Sequence, residues 1–301
     1  MYVAVTGATG FVGSYTIKSL VEAGHRIRVL VRPARDASWF EELGIETCKG
    51  EMADEDALSA FVEGADVVIH TAYDSTAESE HLQYLRSNIF GSLTLLELSR
   101  LAGVRQFICT TSTYLLRPDV YTPADVYQTP ITEDSALVFP QNTYVMHNTV
   151  LESACQTYYA QFGMNTTAFR CAWIYGIQPN LEKTVWRDIL EIVQRDTKYE
   201  STFGCDVVAV EDVATALTAA VGNPASFGQV FNLCDMFVYN QELAQLAREV
   251  TDGKAEVVQS KLPKPTAIGS EGAKELGVDV HRGMAGIRAY FEALYRLIGS
   301  C

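Results

Sequence analysis

Two stretches of this chain have the residue types and spacing to do chemistry. The first is TGATGFVG, which sets Gly7, Gly10 and Gly13 at G-x-x-G-x-x-G spacing between an apolar run and a helical one. Gly7 permits a tight turn, Gly10 lets backbone approach a pyrophosphate, and Gly13 lets helix pack on strand. The helix start adds aligned N–H groups and a partial positive charge. Thr9, Phe11 and Val12 belong to the same loop. A glycine-rich turn with no ligand is the bland alternative, but the strand–loop–helix setting makes dinucleotide binding the stronger reading. Where an NAD site usually ends its second strand on an acid, this chain reads VLVRPAR. The guanidiniums of Arg32 and Arg35 suit a 2′-phosphate, so NADP is the expected cofactor. An Arg32 that merely stacks on adenine would leave NAD possible.

The second stretch is NTYVMHNTVLES, residues 142–153. It reads as a helix that carries Tyr144 toward a reaction centre. Residues four apart share a helix face, so position 148 points the same way as the tyrosine. That position is Asn148, a hydrogen-bond donor without charge. His147 adjoins it and, protonated, could supply part of a charge. It sits about 100° from Asn148 around the helix, and a helix-face or interface histidine is the simpler reading.

The elements that must position these groups alternate. YVAVTG, RIRVLVR, IETCKG, ADVVIHTA and QFICTT read as strands, separated by FVGSYTIKSLVEAG, DEDALSAFVEG and HLQYLRSNIFGSLTLLELSRLAG as helices. This order implies an α/β fold with a Rossmann-type, doubly wound parallel sheet. From Tyr114 to Thr143 the pattern breaks into a stretch rich in Pro, Thr and Asp, the kind of long irregular segment that is usually functional. Alternation then resumes with the Tyr144 helix, NTTAFRCAWIYG as a strand, a helix around VWRDILEIVQRD, and VVAVEDVATALTAAV. The expected division is a dinucleotide-binding domain at 1–170, rejoined by 206–232, and a smaller substrate lobe at 171–205 and 233–301.

Composition narrows the function. The net charge of −14 argues against a nucleic-acid binder, which needs a basic stripe. The apolar runs are short, so no membrane span is expected, and the start reads as a strand rather than a signal peptide. The seven cysteines are scattered, with no C-x-x-C pair, so neither a metal site nor a disulfide framework is expected. A reducing cytoplasm is the default location.

TGATGFVG, GADVVIHTAY, NIFGSLTLLELSRLAGV, FICTTSTY, TPITEDSA, the Tyr144 helix, FRCAWIYG, VEDVATAL, GQVFNLCD and KELGVDV together resemble the extended short-chain dehydrogenase/reductases, the NAD-dependent epimerase/dehydratase and dihydroflavonol-reductase group. The resemblance runs nearly end to end. It implies that Thr71, Ala72 and Tyr73 line the cofactor, that Glu51 and Met52 lie near the adenine, and that Asn88 opens a helix beside the site. Thr110 precedes Ser112, which matches the family's substrate-orienting hydroxyl; Tyr144 matches the catalytic tyrosine. Arg170 to Trp173, with Ala172 among them, would pass along the nicotinamide. The family's homodimers pair through two long helices, here beginning near Leu85 and Tyr144, and Leu93, Leu96, Val150 and Leu151 fit such a face.

The chain departs from the family at two places. Where the family has lysine, which binds the nicotinamide ribose and favours tyrosinate, this chain has Asn148. The first task can survive; the second cannot. On the substrate side, Trp173 and Cys205 stand where nucleotide-sugar members carry Asn and Arg for a diphosphate, and Ala209 replaces the usual histidine. With Tyr114 and Phe139, Trp173 suggests an apolar or aromatic small-molecule carbonyl compound. The expected activity is hydride transfer to or from such a carbonyl or alcohol. A weak or inactive NADP-binding sensor, and a nucleotide-sugar epimerase or dehydratase, are the alternatives.

Overall fold

The computed structural model of the protein describes residues 1–75, 80–117, 130–140, 142–195 and 198–299. Much of the irregular stretch, 118–129 and 141, therefore lies outside the described residues.

Segments of four to seven residues, each carrying β-branched Val, Ile or Thr, form the main sheet: β1 (Tyr2–Thr6), β2 (Arg26–Val31), β3 (Glu46–Lys49), β4 (Val67–His70), β5 (Gln106–Ser112) and β6 (Asn165–Cys171). A later strand, Gln229–Leu233, completes it at the edge beside β6. All seven are parallel. From β1 the chain winds outward to β2 and β3, then returns to place β4 on the other side of β1 and continues to β5 and β6. The strand order thus reverses between β1 and β4, and in open α/β sheets ligands bind in the crevice at that switch point.

Helices cover both faces. On one lies α1 (Phe11–Glu22); α2 (Ser38–Glu42) is a short turn after β2. On the other lie α3 (Glu55–Val62) and the long connection after β4. That connection is not one uniform α-helix: α4 (His81–Tyr84) widens into a π-helical stretch, Leu85–Phe90, before α5 (Gly91–Leu101). Such widened turns are often found at functional sites. The Tyr144 helix, α6 (Thr143–Phe162), begins where the Asn142 side chain accepts from Val145 N at 2.9 Å, and ends on Gly163 at φ +66°.

The expected strand NTTAFRCAWIYG is broken at Ala172. Its first part is β6; its second, β7 (Trp173–Tyr175), joins a different sheet, while Ala172 N bonds Leu233 O at 2.9 Å. The chain thereby passes from the main sheet into the smaller lobe directly above the switch point. The lobe contains α7 (Arg187–Gln194), β8 (Lys198–Tyr199) and β9 (Gly204–Ala209). α8 (Val210–Ala219) returns to pack on α1 and leads to β10 (Gln229–Leu233), the edge strand. β11 (Met236–Tyr239), α9 (Asn240–Thr251), β12 (Glu256–Val257) and α10 (Gly283–Gly299) complete the lobe. Its sheet runs β11-β9-β7, with β12 and β8 paired apart. β9 thus belongs to the lobe, whereas Ile268, Val278 and Val280 pack in the main core. Among the described residues no helix is long and apolar enough to cross a membrane.

The proposed dimer positions divide. Leu96 and Leu151 are buried in the subunit's own core, while Leu93 and Val150 are half-buried around Tyr84 and Ile89.

Candidate active site

The glycine loop has the shape a pyrophosphate requires. Gly7 has φ +75°, and a Cβ there would lie 2.7 Å from Ala72 N and 2.8 Å from Thr71 C, so the loop after β1 touches the end of β4. A Cβ on Gly13 would lie 2.1 Å from Gly7 O, which fixes why helix and turn come so close. At Gly10 the one neighbour within 4 Å is Gly7 O at 3.0 Å, leaving an open approach to the first turn of α1. Thr9 and Gly10 are exposed, and Phe11 and Val12 half-buried. A dinucleotide's phosphates fit this cradle.

Beyond it, Arg32 and Arg35 are exposed just past β2. Arg32 pairs with Asp74 at 3.4 Å, and Lys49, at the end of β3, donates to Arg35 O at 3.2 Å. Asn88 is buried in the π-helical stretch, where its amide exchanges two bonds with the backbone of Asp74 (2.8 and 3.2 Å). It therefore braces the loop after β4. Glu51 is exposed; the Met52 carbonyl lies 2.4 Å from where a Cβ on Gly91 would stand, which explains a glycine at the start of α5.

A cavity of about 500 Å³ opens above the switch point. Val12, Thr71, Ala72 and Tyr73 form its β1/β4 side; Thr110, Ser112 and Tyr114 follow β5; Ala172, Trp173, Ile174 and Asp206 come from the turn into the lobe. α6 contributes Tyr144, His147, Asn148 and Leu151. Ser112 stands with the Tyr144 phenol in this wall, and its hydroxyl accepts from Tyr114 N at 3.2 Å. Rings of Tyr73 (5.4 Å) and Tyr114 (6.2 Å) meet Tyr144 edge to face. Burial pushes the Tyr144 phenol above its ordinary range, and the neighbouring Ser112 and Asn148 side chains oppose this only in part. Asn148 Nδ2 donates to the Tyr144 carbonyl one turn back, at 2.8 Å. Among the described residues lining the cavity there is no lysine or arginine. Nothing there supplies the fixed positive charge that would favour tyrosinate.

Two expected residues are not brought to the cavity. The Arg170 side chain turns beneath it, paired to Glu152 by two bonds of 2.9 and 2.7 Å and donating to Glu133 O at 3.0 Å. Its partner Glu152 also accepts from Thr111, so this guanidinium ties β6 to α6 rather than meeting a ligand. Phe139 is 85% exposed and stands apart from the cavity wall. Trp173 does line it, half open to solvent.

One lining residue carries no mark in the sequence, and one lies elsewhere than expected. Asp206 brings a buried carboxylate to the lobe side, paired with Arg117. Burial raises its acid form above the usual carboxylate range, against the pull of Arg117. His147 lines the cavity, stacked on Tyr73 at 5.8 Å, instead of facing outward. The i+3 spacing from Tyr144 was the available signal, since it puts the two residues on one face.

With this geometry in hand, comparisons place the chain. The profile of the NAD dependent epimerase/dehydratase family matches residues 3–234. A UDP-glucose 4-epimerase of Corynebacterium glutamicum is 28% identical over 308 residues, covering 92% of this chain and 90% of that protein. Cinnamoyl-CoA reductase 1 of Petunia hybrida is 27% identical over 239 residues, covering 75% of this chain and 71% of that one. The chain spans only about a third to a half of several other curated relatives it matches. Among solved structures, a UDP-glucose 4-epimerase of Thermotoga maritima with UDP-glucose superposes with TM-score 0.81 at 23% identity, over 99% of this chain and all of that one.

Proposed function

The chain belongs to the NAD-dependent epimerase/dehydratase family, and from that premise we propose that it is an NADP-binding oxidoreductase acting on an uncharged, largely apolar carbonyl compound. The observation that carries this reading is that the Tyr144 phenol and the Ser112 hydroxyl stand together in the wall of the switch-point cavity. When bound, the nicotinamide supplies or accepts a hydride. The protein's own residues handle the oxygen. Ser112 orients it, and Tyr144 gives it a proton as the carbonyl becomes an alcohol. A phenol held above its ordinary pKa is well protonated at neutral pH, which suits the acid's role and makes the reverse, base-driven direction slow.

The preference for NADP rests on Arg32, Arg35 and the adjacent Lys49, three cations at the ends of β2 and β3. The substrate class rests on what stands in the lobe. Cys205 is buried, Trp173 occupies the wall, and the one carboxyl group brought from this side, Asp206, is already paired with Arg117. The described lining therefore offers a diphosphate no cation, which weighs against a nucleotide sugar. A binding protein without turnover is the second reading. It is favoured by Asn148, whose amide is bonded back to its own helix and brings no charge. A homodimer goes with either reading, supported by the exposed Leu82 of α4 and Phe90 at the end of the π-helical stretch.

The test is consumption of NADPH with a panel of aryl and alkyl aldehydes and ketones, run beside epimerisation of UDP-glucose. Reduction of an apolar carbonyl without epimerase activity is the expected result. Epimerisation would overturn the substrate class, and NADPH binding without turnover on any carbonyl would favour the binding protein.

A further inference from the structure

Two histidines stand in the cavity wall, and the fold treats them in opposite ways. His70, 2% exposed, has both ring nitrogens occupied: Nδ1 by Thr6 Oγ1 at 2.7 Å and Nε2 by Ser92 Oγ at 2.8 Å. Ser92 Oγ donates onward to Asn88 O at 2.6 Å, so it accepts from His70, and Thr6 donates to Nδ1. Every polar atom of that chain is satisfied. His147 is 4% exposed, and among the described residues neither of its ring nitrogens has a hydrogen-bond partner. Its ring is packed on Tyr73, nearly parallel at 21°.

Buried polar atoms are nearly always partnered, because an orphan carries the full cost of leaving water. Packing does not call for an imidazole at 147, since a phenyl ring would stack on Tyr73 without that cost. An orphaned imidazole in the wall of a ligand cavity is a local sacrifice of stability of the kind found at functional sites. Its partner arrives with the ligand.

The chemistry of the ring limits what that partner is. A neutral imidazole offers one donor and one acceptor. Burial holds His147 neutral, its pKa lowered to about 4. A phosphate or carboxylate only accepts, so it would leave one nitrogen orphaned. Hydroxyl groups both give and accept. Position favours the dinucleotide as their source. His147 contacts Tyr73, which follows Thr71 and Ala72 against the glycine loop, whereas Trp173, Ile174 and Asp206 come from the smaller lobe. Asn148, the next residue along α6, has turned its amide to the Tyr144 carbonyl.

The geometry points to His147 as a binding residue for the nicotinamide-side ribose of the dinucleotide, its ring nitrogens exchanging hydrogen bonds with ribose hydroxyls. This rests on the dinucleotide reading of the site but not on turnover. It makes His147 a positioning residue, able to hold the cofactor where the family relies on a lysine at the next position.

The experiment is calorimetric titration of wild type, His147→Phe and His147→Asn with NADPH and with 2′,5′-ADP, which keeps the adenosine end and lacks the second ribose. Phe preserves the stack and removes both nitrogens. NADPH should bind His147→Phe at least tenfold more weakly, about 1.4 kcal/mol, while 2′,5′-ADP binds unchanged. The Tm of the ligand-free variant should be equal or higher, and Asn should restore part of the loss. Undiminished NADPH affinity in His147→Phe overturns the inference. So does equal weakening of both ligands with a lower ligand-free Tm, which marks a structural histidine. A wild type that binds neither NADPH nor NADH removes the cofactor reading itself, and the inference with it.

Discussion

Replacing Asn148 with lysine tests how the missing charge shapes the chemistry. The cavity lining holds no lysine or arginine among its described residues, and burial raises the Tyr144 pKa. Side chains four apart on a helix have Cβ atoms about 5–6 Å apart. An ammonium about 5 Å from the phenol oxygen, at an effective dielectric of about 20, stabilises tyrosinate by roughly 3 kcal/mol. That corresponds to about 2 pKa units. Oxidation of an alcohol needs tyrosinate, so its rate climbs with pH up to the Tyr144 pKa. The alkaline limb of the pH–rate profile should therefore move about 2 units lower in Asn148→Lys, with oxidation near pH 7.5 rising about 10–100-fold. Carbonyl reduction, which uses the protonated phenol, should change much less. The assay is a pH profile of both directions for the two proteins. An unmoved alkaline limb, with NADPH binding intact, would refute the electrostatic role assigned to position 148.

Three further outcomes follow from the geometry. Gly13→Ala places a methyl 2.1 Å from the Gly7 carbonyl, so the loop must shift, and dinucleotide affinity should fall at least tenfold by calorimetry. Arg170→Met strands the Glu152 carboxylate, 1% exposed, and should cost about 3–5 kcal/mol in denaturant unfolding; Arg170→Met with Glu152→Leu should recover much of it. His70 and His147 have folded pKa values lowered to about 3 and about 4, below the unfolded value of about 6.5. The unfolded chain therefore takes up the extra protons, and stability is lost as pH falls below about 6.5, by up to about 2 kcal/mol for each histidine at pH 5. Thermal unfolding from pH 7.5 to 4.5 should show this decline, and His147→Phe should remove one share of it.

What could be read from the sequence was whatever local pattern and short spacing carry. The strands with their β-branched residues, the glycine spacing and the two faces of the α/β alternation are local, and the structure places them as a doubly wound sheet. Tyr144 and Ser112 are 32 positions apart, and only the resemblance put them together. The break at Ala172 leaves no mark in the sequence, since no Gly or Pro interrupts β6 and β7; the Leu233 carbonyl, far along the chain, receives the freed amide. Arg170 read as a ligand contact because nothing local marks Glu152 as its partner. Leu96 and Leu151 look the same as dimer-face leucines until the packing against α3 and β5 is seen. His147 stands about 100° from Asn148 but only about 60° from Tyr144, the residue that sets the face, so local helix geometry is compatible with either side.

The central claim is that Tyr144 protonates a carbonyl oxygen beside a bound dinucleotide. The most direct measurement is single-turnover oxidation of NADPH by wild type and Tyr144→Phe, each saturated with the best aldehyde or ketone of the panel. Phenylalanine keeps the ring contacts with Tyr73 and Tyr114 and removes only the proton donor. The account predicts a rate about 10²–10⁴-fold lower in Tyr144→Phe with NADPH affinity unchanged. Equal rates in the two proteins, or no turnover in either despite tight NADPH binding, would contradict it.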